Sequence, residues 1–116
     1  MTWAPLSEFE LWNLINEAES TMRPSLYRLW EAIQIAPEKW QQVPYGQRSG
    51  GFWVVAVIGQ QVLWYNDIER GFNISVYRQF GVIEEYFCNQ DSLVETVQSL
   101  QNLLSEGYSL VRAGPP

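Results

Sequence analysis

Apolar residues recur along the chain at two periods, and the change of period divides it into elements. Leu11, Leu14, Ile15, Ala18 and Met22 fall on one helical stripe, with Asn13, Glu17 and Ser20 mostly on the wet side. Ser7 and Glu10 have capping-box spacing ahead of that stripe, and Leu6 and Leu11 stand at hydrophobic-staple spacing. The pattern predicts a helix over residues 6–22, ended by Pro24, because a proline pushes the residue before it out of helical geometry. A second helix is predicted over Ser92–Glu106. Ser92 and Glu95 repeat the capping spacing, Leu93, Val97, Leu100 and Leu104 make the stripe, Val94 and Leu103 widen it, and Gly107 is placed to close it.

Between the helices the period shortens. Phe52–Ile58 is apolar on both faces, as a strand covered on both sides should be. Gly59-Gln60 suits a two-residue type II′ turn, with Gly where φ must be positive, and Gln61–Asn66 returns. That turn predicts the pairs Val57–Val62, Val55–Trp64 and Trp53–Asn66. Trp53, Val55, Val57, Val62, Trp64 and Asn66 would then share one face, and Val54, Ala56, Leu63 and Tyr65 the other. Phe72, Ile74 and Val76 alternate against Asn73, Ser75 and Tyr77, which predicts a half-buried strand. Val82–Cys88 reads as a further strand, bulged near Glu85.

Residues 25–42 fit two patterns. Leu26, Leu29, Trp30 and Ile33 suit a helix whose first turn would hold Pro24. The β-branched Ile33-x-Ile35 argues for a strand over about 29–35, which is preferred, at an edge or bulged at Pro37. The loop 43–50 is rich in Pro, Gly and Ser and is the candidate mobile flap. These elements predict one α+β domain over 1–116: a twisted antiparallel sheet of five or six strands with an N-terminal and a C-terminal helix packed on it. Curling into a partial barrel is the alternative. Residues 1–5 and 108–116 are expected to be frayed tails.

Charge narrows the partners. Seven Lys+Arg against thirteen Asp+Glu give a net charge of −6, and no basic run occurs. Nucleic acid and anionic membrane surfaces both need clustered cations, so neither is expected as a partner. A single cysteine excludes an intrachain disulfide, and the absence of histidine removes the commonest general base and the usual zinc sites. No apolar run nears the ~20 residues of a membrane span. The first ten residues lack a signal-peptide pattern, so a cytoplasmic location is expected.

Chemistry has few places to sit. Asn66, Asp67, Glu69, Arg70 and Asn73 form a polar corner in which two carboxylates could act as an acid–base pair or hold a hard cation. The same residue types are also the natural turn formers. Glu84 and Glu85 point to opposite faces of a regular strand, so only one could join that corner. Six Trp, six Tyr and five Phe are many for a small core, so some are expected at a binding surface. Trp40, beside Pro37 and a polar run, is the aromatic expected to be most exposed. Cys88 reads either as a buried, inert thiol or as one activated near a helix start. The candidate binding set is Asn66, Asp67, Glu69, Asn73, Trp40 and Glu84; no catalytic residue, metal ligand or cofactor is assigned.

The segments GFWVVAVIG, WYNDIERGFNISVY and EEYFCNQDSL, preceded by WEAIQIAPEKW, resemble a family of small bacterial proteins without an assigned activity. The resemblance covers roughly residues 27–100 and implies no activity, cofactor or catalytic residue. The layout also resembles small α+β immunity and regulatory proteins of bacteria, as an analogy of fold. Acidic charge, surplus aromatics and missing catalytic groups together favour a non-enzymatic protein-interaction or regulatory protein, for which an immunity-type inhibitor is one form. Its partner would be another protein or a second copy. The alternative is a small-molecule or carbohydrate-binding domain, or an enzyme, using the acidic and asparagine corner beside aromatics.

Overall fold

The computed structural model describes residues 4–106. The expectations for residues 1–3, for Gly107 as a helix terminator and for the 108–116 tail lie outside the described residues. Helix α1 spans Glu8–Thr21, and its capping box is formed: Ser7 Oγ accepts from the Glu10 N–H at 3.1 Å, and Glu10 Oε1 accepts from the Ser7 N–H at 3.1 Å. Each such cap satisfies donors that the first turn leaves without a helical partner. Leu11, Ile15 and Ala18 are the buried stripe.

The stretch 25–35 is corrected. Helix α2 occupies Pro24–Ile33, and strand β1 begins only at Gln34, running to Trp40. Pro24 sits in the first turn, where its missing N–H costs nothing. Leu26, Trp30 and Ile33, spaced for one helix face, are all buried. The Ile-x-Ile pair that suggested a strand straddles the switch between elements. Pro37 behaves as predicted: β1 is an edge strand, and its pairing is irregular between Gln34 and Glu38.

Strands β2 (Phe52–Ile58), β3 (Gln61–Asn66) and β4 (Gly71–Val76) follow, and the open antiparallel sheet has the order β1-β2-β3-β4. Four strands, not five or six, are formed among the described residues, and the sheet does not close on itself. Gly59 has φ 56° in the β2–β3 turn, and Val57 pairs with Val62 as predicted. The predicted register then fails. A bulge at Val55 pairs Val54 with Trp64 and Trp53 with Tyr65. One extra residue flips everything before it, so Val55 and Trp53 join the face that carries Ala56, Leu63 and Tyr65, while Val54 crosses to the other.

Helix α3 spans Leu93–Glu106 behind the predicted Ser92/Glu95 capping box, with the Glu95 N–H on Ser92 Oγ at 3.1 Å and the Ser92 N–H on Glu95 Oε1 at 2.8 Å. Its stripe is Leu93, Val97 and Leu100; Leu104 is 54% exposed, and Leu103 packs in its place. The three helices lie on one face of the sheet, over Val55, Ala56, Leu63, Tyr65 and Phe72. The other face carries a second core of Trp40, Phe52, Val54, Val62, Trp64 and Ile83. No helix among the described residues is long and apolar enough to cross a membrane.

Candidate functional site

Among the described residues the second core has no α-helix above it. Its cover is the loop 41–51 and the long segment 77–92, and how that segment is held decides what the polar corner does. The predicted strand Val82–Cys88 is not one: the segment has only single bridges, Val82 to Gln41 and Asp91 to Phe72. It lies across the sheet face, tied down by side chains rather than by a strand ladder.

The ties are the polar residues of β3 and β4 on that face. Asn66 Nδ2 donates to the Phe87 carbonyl at 2.9 Å. Asn73 Oδ1 accepts from the Asn89 N–H at 3.0 Å, and Asn73 Nδ2 donates toward the Asn89 carbonyl at 3.4 Å. Ser75 Oγ donates to the Glu85 carbonyl at 2.9 Å and accepts from Trp64 Nε1 at 2.9 Å. The three side chains are buried and their bonds to the segment part-buried, so leaving these polar groups unpaired would be costly. Gly71 leaves the space the segment needs, since a Cβ there would run into the Asn89 carbonyl and the Gln90 backbone. Asn73 and Ser75, the wet side of a half-buried strand by alternation, are thus an inner surface.

The corner itself is built as a turn. Asn66 Oδ1 accepts from the Ile68 N–H at 3.0 Å and the Glu69 N–H at 3.2 Å, and the Asn66 carbonyl accepts from the Arg70 N–H at 2.7 Å. Arg70 takes the left-handed conformation with φ 61°. Asp67 turns to the helical side. Its Oδ2 accepts from the Leu6 N–H at 2.9 Å, while Trp53 Nε1 donates to the Leu6 carbonyl at 2.8 Å, so the lead-in to α1 is strapped to the sheet from both ends of one residue. Burial pushes the Asp67 carboxyl above its ordinary range; the Leu6 N–H, Lys39 and its own backbone N–H pull it partly back.

The six candidates therefore divide. Asn66 and Asn73 come together under the segment 85–91, and Asp67 faces Leu6. Glu69 contributes its backbone carbonyl, to Gln90 Nε2 at 3.0 Å. Glu84 pairs with Arg78 at 2.8 Å on the exposed rim, and Glu85 accepts from the Val76 N–H at 2.9 Å. The carboxylates of Asp67, Glu84 and Glu85 each have their own structural partner. Among the described residues, no group of three or more His, Cys, Asp or Glu is placed to hold a metal ion. Trp40 is corrected outright. It is 1% exposed, donates Nε1 to Glu38 at 2.8 Å, and lies 5.1 Å from the Tyr77 ring and 4.6 Å from the Phe80 ring. Cys88 is exposed, not buried.

Exposed aromatics stand in two places: Phe9 and Trp12 on α1, 75% and 37% exposed, and Tyr45 and Phe80 on the loops that cover the second core. Gln41 zips the two covering loops together, donating its N–H to the Gly81 carbonyl and accepting from the Ile83 N–H, both at 2.8 Å. Phe80 stands on one side of that junction, 65% exposed on a floor of Trp40 and Tyr77. Val43 and Tyr45 stand on the other, 69% and 48% exposed, with Tyr45 stacked on Tyr86 at 4.0 Å. Tyr86 in turn leans on Phe52 and Trp64, so the outer rings rest on the buried ones. In the sequence this surface shows as the aromatic surplus, the Pro- and Gly-rich loop that holds Tyr45, and the turn at Gly81 beside Phe80.

No family model, no curated protein and no solved structure matches the chain.

Proposed function

We propose that this protein is a non-enzymatic interaction or regulatory module that grips a protein partner through the aromatic loop layer on the second face of its sheet. The carrying observation is the set Val43, Tyr45 and Phe80, large exposed apolar side chains of which the two rings are held out on ordered aromatic supports. Exposed rings with their rotamers fixed from below lose little entropy on binding and bring large contact areas, which is what interface hot spots supply. The excess of acidic residues gives the rest of the surface a field that steers basic partners. An immunity-type inhibitor is one form of such a module. The carbohydrate or small-molecule alternative needs Asn66 and Asn73 free to meet a ligand, and both hold the covering segment.

A photo-cross-linker at position 80 or 45 tests this. It should capture one enriched protein, or a second copy seen as a doubled mass by light scattering. The same probe at Glu17, exposed on α1, should not. Capture should vanish with Tyr45→Ser and Phe80→Ser combined, at unchanged circular dichroism. Equal capture from all three positions would sink the proposal.

A further inference from the structure

We propose that the free edge of β4 is a second binding site, taking an extended peptide segment with a basic residue, which adds as a short strand at Ile74. β4 is a terminal strand of the sheet. Its backbone directions follow from three hydrogen bonds. The Tyr77 N–H bonds to the Gln60 carbonyl, on the β3 side. The Phe72 N–H bonds to the Asp91 carbonyl and the Val76 N–H to the Glu85 carboxylate, both on the opposite side. Peptide groups alternate along a strand, so Ile74, midway between Phe72 and Val76, turns its N–H and C=O away from the sheet.

Natural edge strands are blunted against stray pairing, and β4 is blunted at both ends, by the 91 carbonyl and the 85 side chain. Ile74, between them, opens instead on a cleft of about 480 Å³ bounded by β4, the segment 87–91 and the α3 face of Thr96, Ser99 and Leu103. That volume lies within the range of natural ligand sites, roughly 300–1,000 Å³. A backbone donor and acceptor side by side fit one residue of an incoming strand, the usual mode of strand addition.

The walls select charge. Around Ile74 they present the amides of Gln61, Asn73, Asn89 and Gln90, and among the described residues their one ionisable group is Asp91, with no Lys or Arg lining the cleft. In a chain of net charge −6 that arrangement repels anionic ligands and suits a lysine or arginine beside the strand. The site shares no residue with the Val43, Tyr45 and Phe80 surface.

The test uses the full chain and three blocked peptide probes at low salt: alternating Val and Lys, the same with Glu for Lys, and the Lys peptide N-methylated on its central backbone amide. The Lys peptide should slow amide exchange at Ile74 and bind better than the Glu peptide by about fivefold, the scale of an exposed ion pair and its reversal. Asp91→Asn should erase that preference at an unchanged melting temperature, and N-methylation should abolish the protection at Ile74. Absence of protection at Ile74 would overturn the site. So would equal binding of the parent and N-methylated probes, or protection that rises with protein concentration alone and marks a second copy on the edge.

Discussion

The two faces of the sheet are covered by different kinds of chain, and each cover dictates what the sheet must present. Helices satisfy their own backbone hydrogen bonds, so the face beneath α1, α2 and α3 is apolar: Val55, Ala56, Leu63 and Phe72 meet Leu11, Ile15, Trp30 and Leu100. Irregular chain carries unsatisfied peptide groups wherever it is buried. The face beneath residues 77–92 therefore mixes apolar Phe52, Val54 and Trp64 with Asn66, Asn73 and Ser75, which hold the peptide groups of Glu85, Phe87 and Asn89. Polar residues on this side of the strands are a fastening for the loop.

The largest expected effect falls on the helical side. Trp30 is fully buried, and its Nε1 donates to Glu19 at 2.8 Å. Trp30→Ala should cost about 4 kcal/mol, because the cavity adds to the lost burial. Urea unfolding followed by tryptophan fluorescence and by circular dichroism should shift together, since this side unfolds as a unit. A shift in fluorescence alone would show that the helices can leave a standing sheet, and would weaken the contrast.

A smaller and more local effect is expected on the looped side. Asn66→Ala strands the Phe87 carbonyl and the Ile68 and Glu69 N–H groups, at a cost of about 3 kcal/mol. Hydrogen exchange should accelerate first at Asn89, whose amide depends on the segment lying down, while amides of α1 and α3 keep their protection. Uniform acceleration would mean that the segment and the helices open together, and the two covers would not be independent.

This contrast also explains what the sequence could and could not reveal. Both capping boxes, the Gly59 turn, the Val57–Val62 pair and the edge character of the Pro37 strand are local, and local chemistry was enough to find them. The bulge at Val55 was hidden because every residue around it is apolar, so no alternation marks the slip. Asn73 and Ser75 look like a solvent face because alternation reports polarity, not exposure. The segment 82–88 carries strand-like side chains, yet the ties that fix it lie on distant residues, Asn66, Asn73 and Ser75. Trp40 reads as exposed because its neighbours in sequence are polar, while Tyr77 and Phe80 arrive from about forty residues on.

The smallest effect tests whether the helical side is as free of polar fastening as its core suggests. Among the described residues Asp67 is its one buried carboxylate strap, on the Leu6 N–H. Burial holds its folded carboxyl above the ordinary value of 3.8, so the folded state binds that proton more tightly than the unfolded chain does. The stability from this group is therefore complete below the unfolded value and is lost as pH rises through the folded one. Glu10 and Glu95, lowered by their backbone and hydroxyl hydrogen bonds to Ser7 and Ser92, run the other way, gaining as pH rises. Asp67→Asn leaves both caps in place, so they cancel in the difference between variant and wild type. Urea midpoints taken from about pH 3 to about pH 7 should show the variant gaining on the wild type as pH rises above the ordinary carboxylate range. A difference that stays flat would mean the charge is already compensated at Leu6, and that this face, too, depends on a satisfied polar tie.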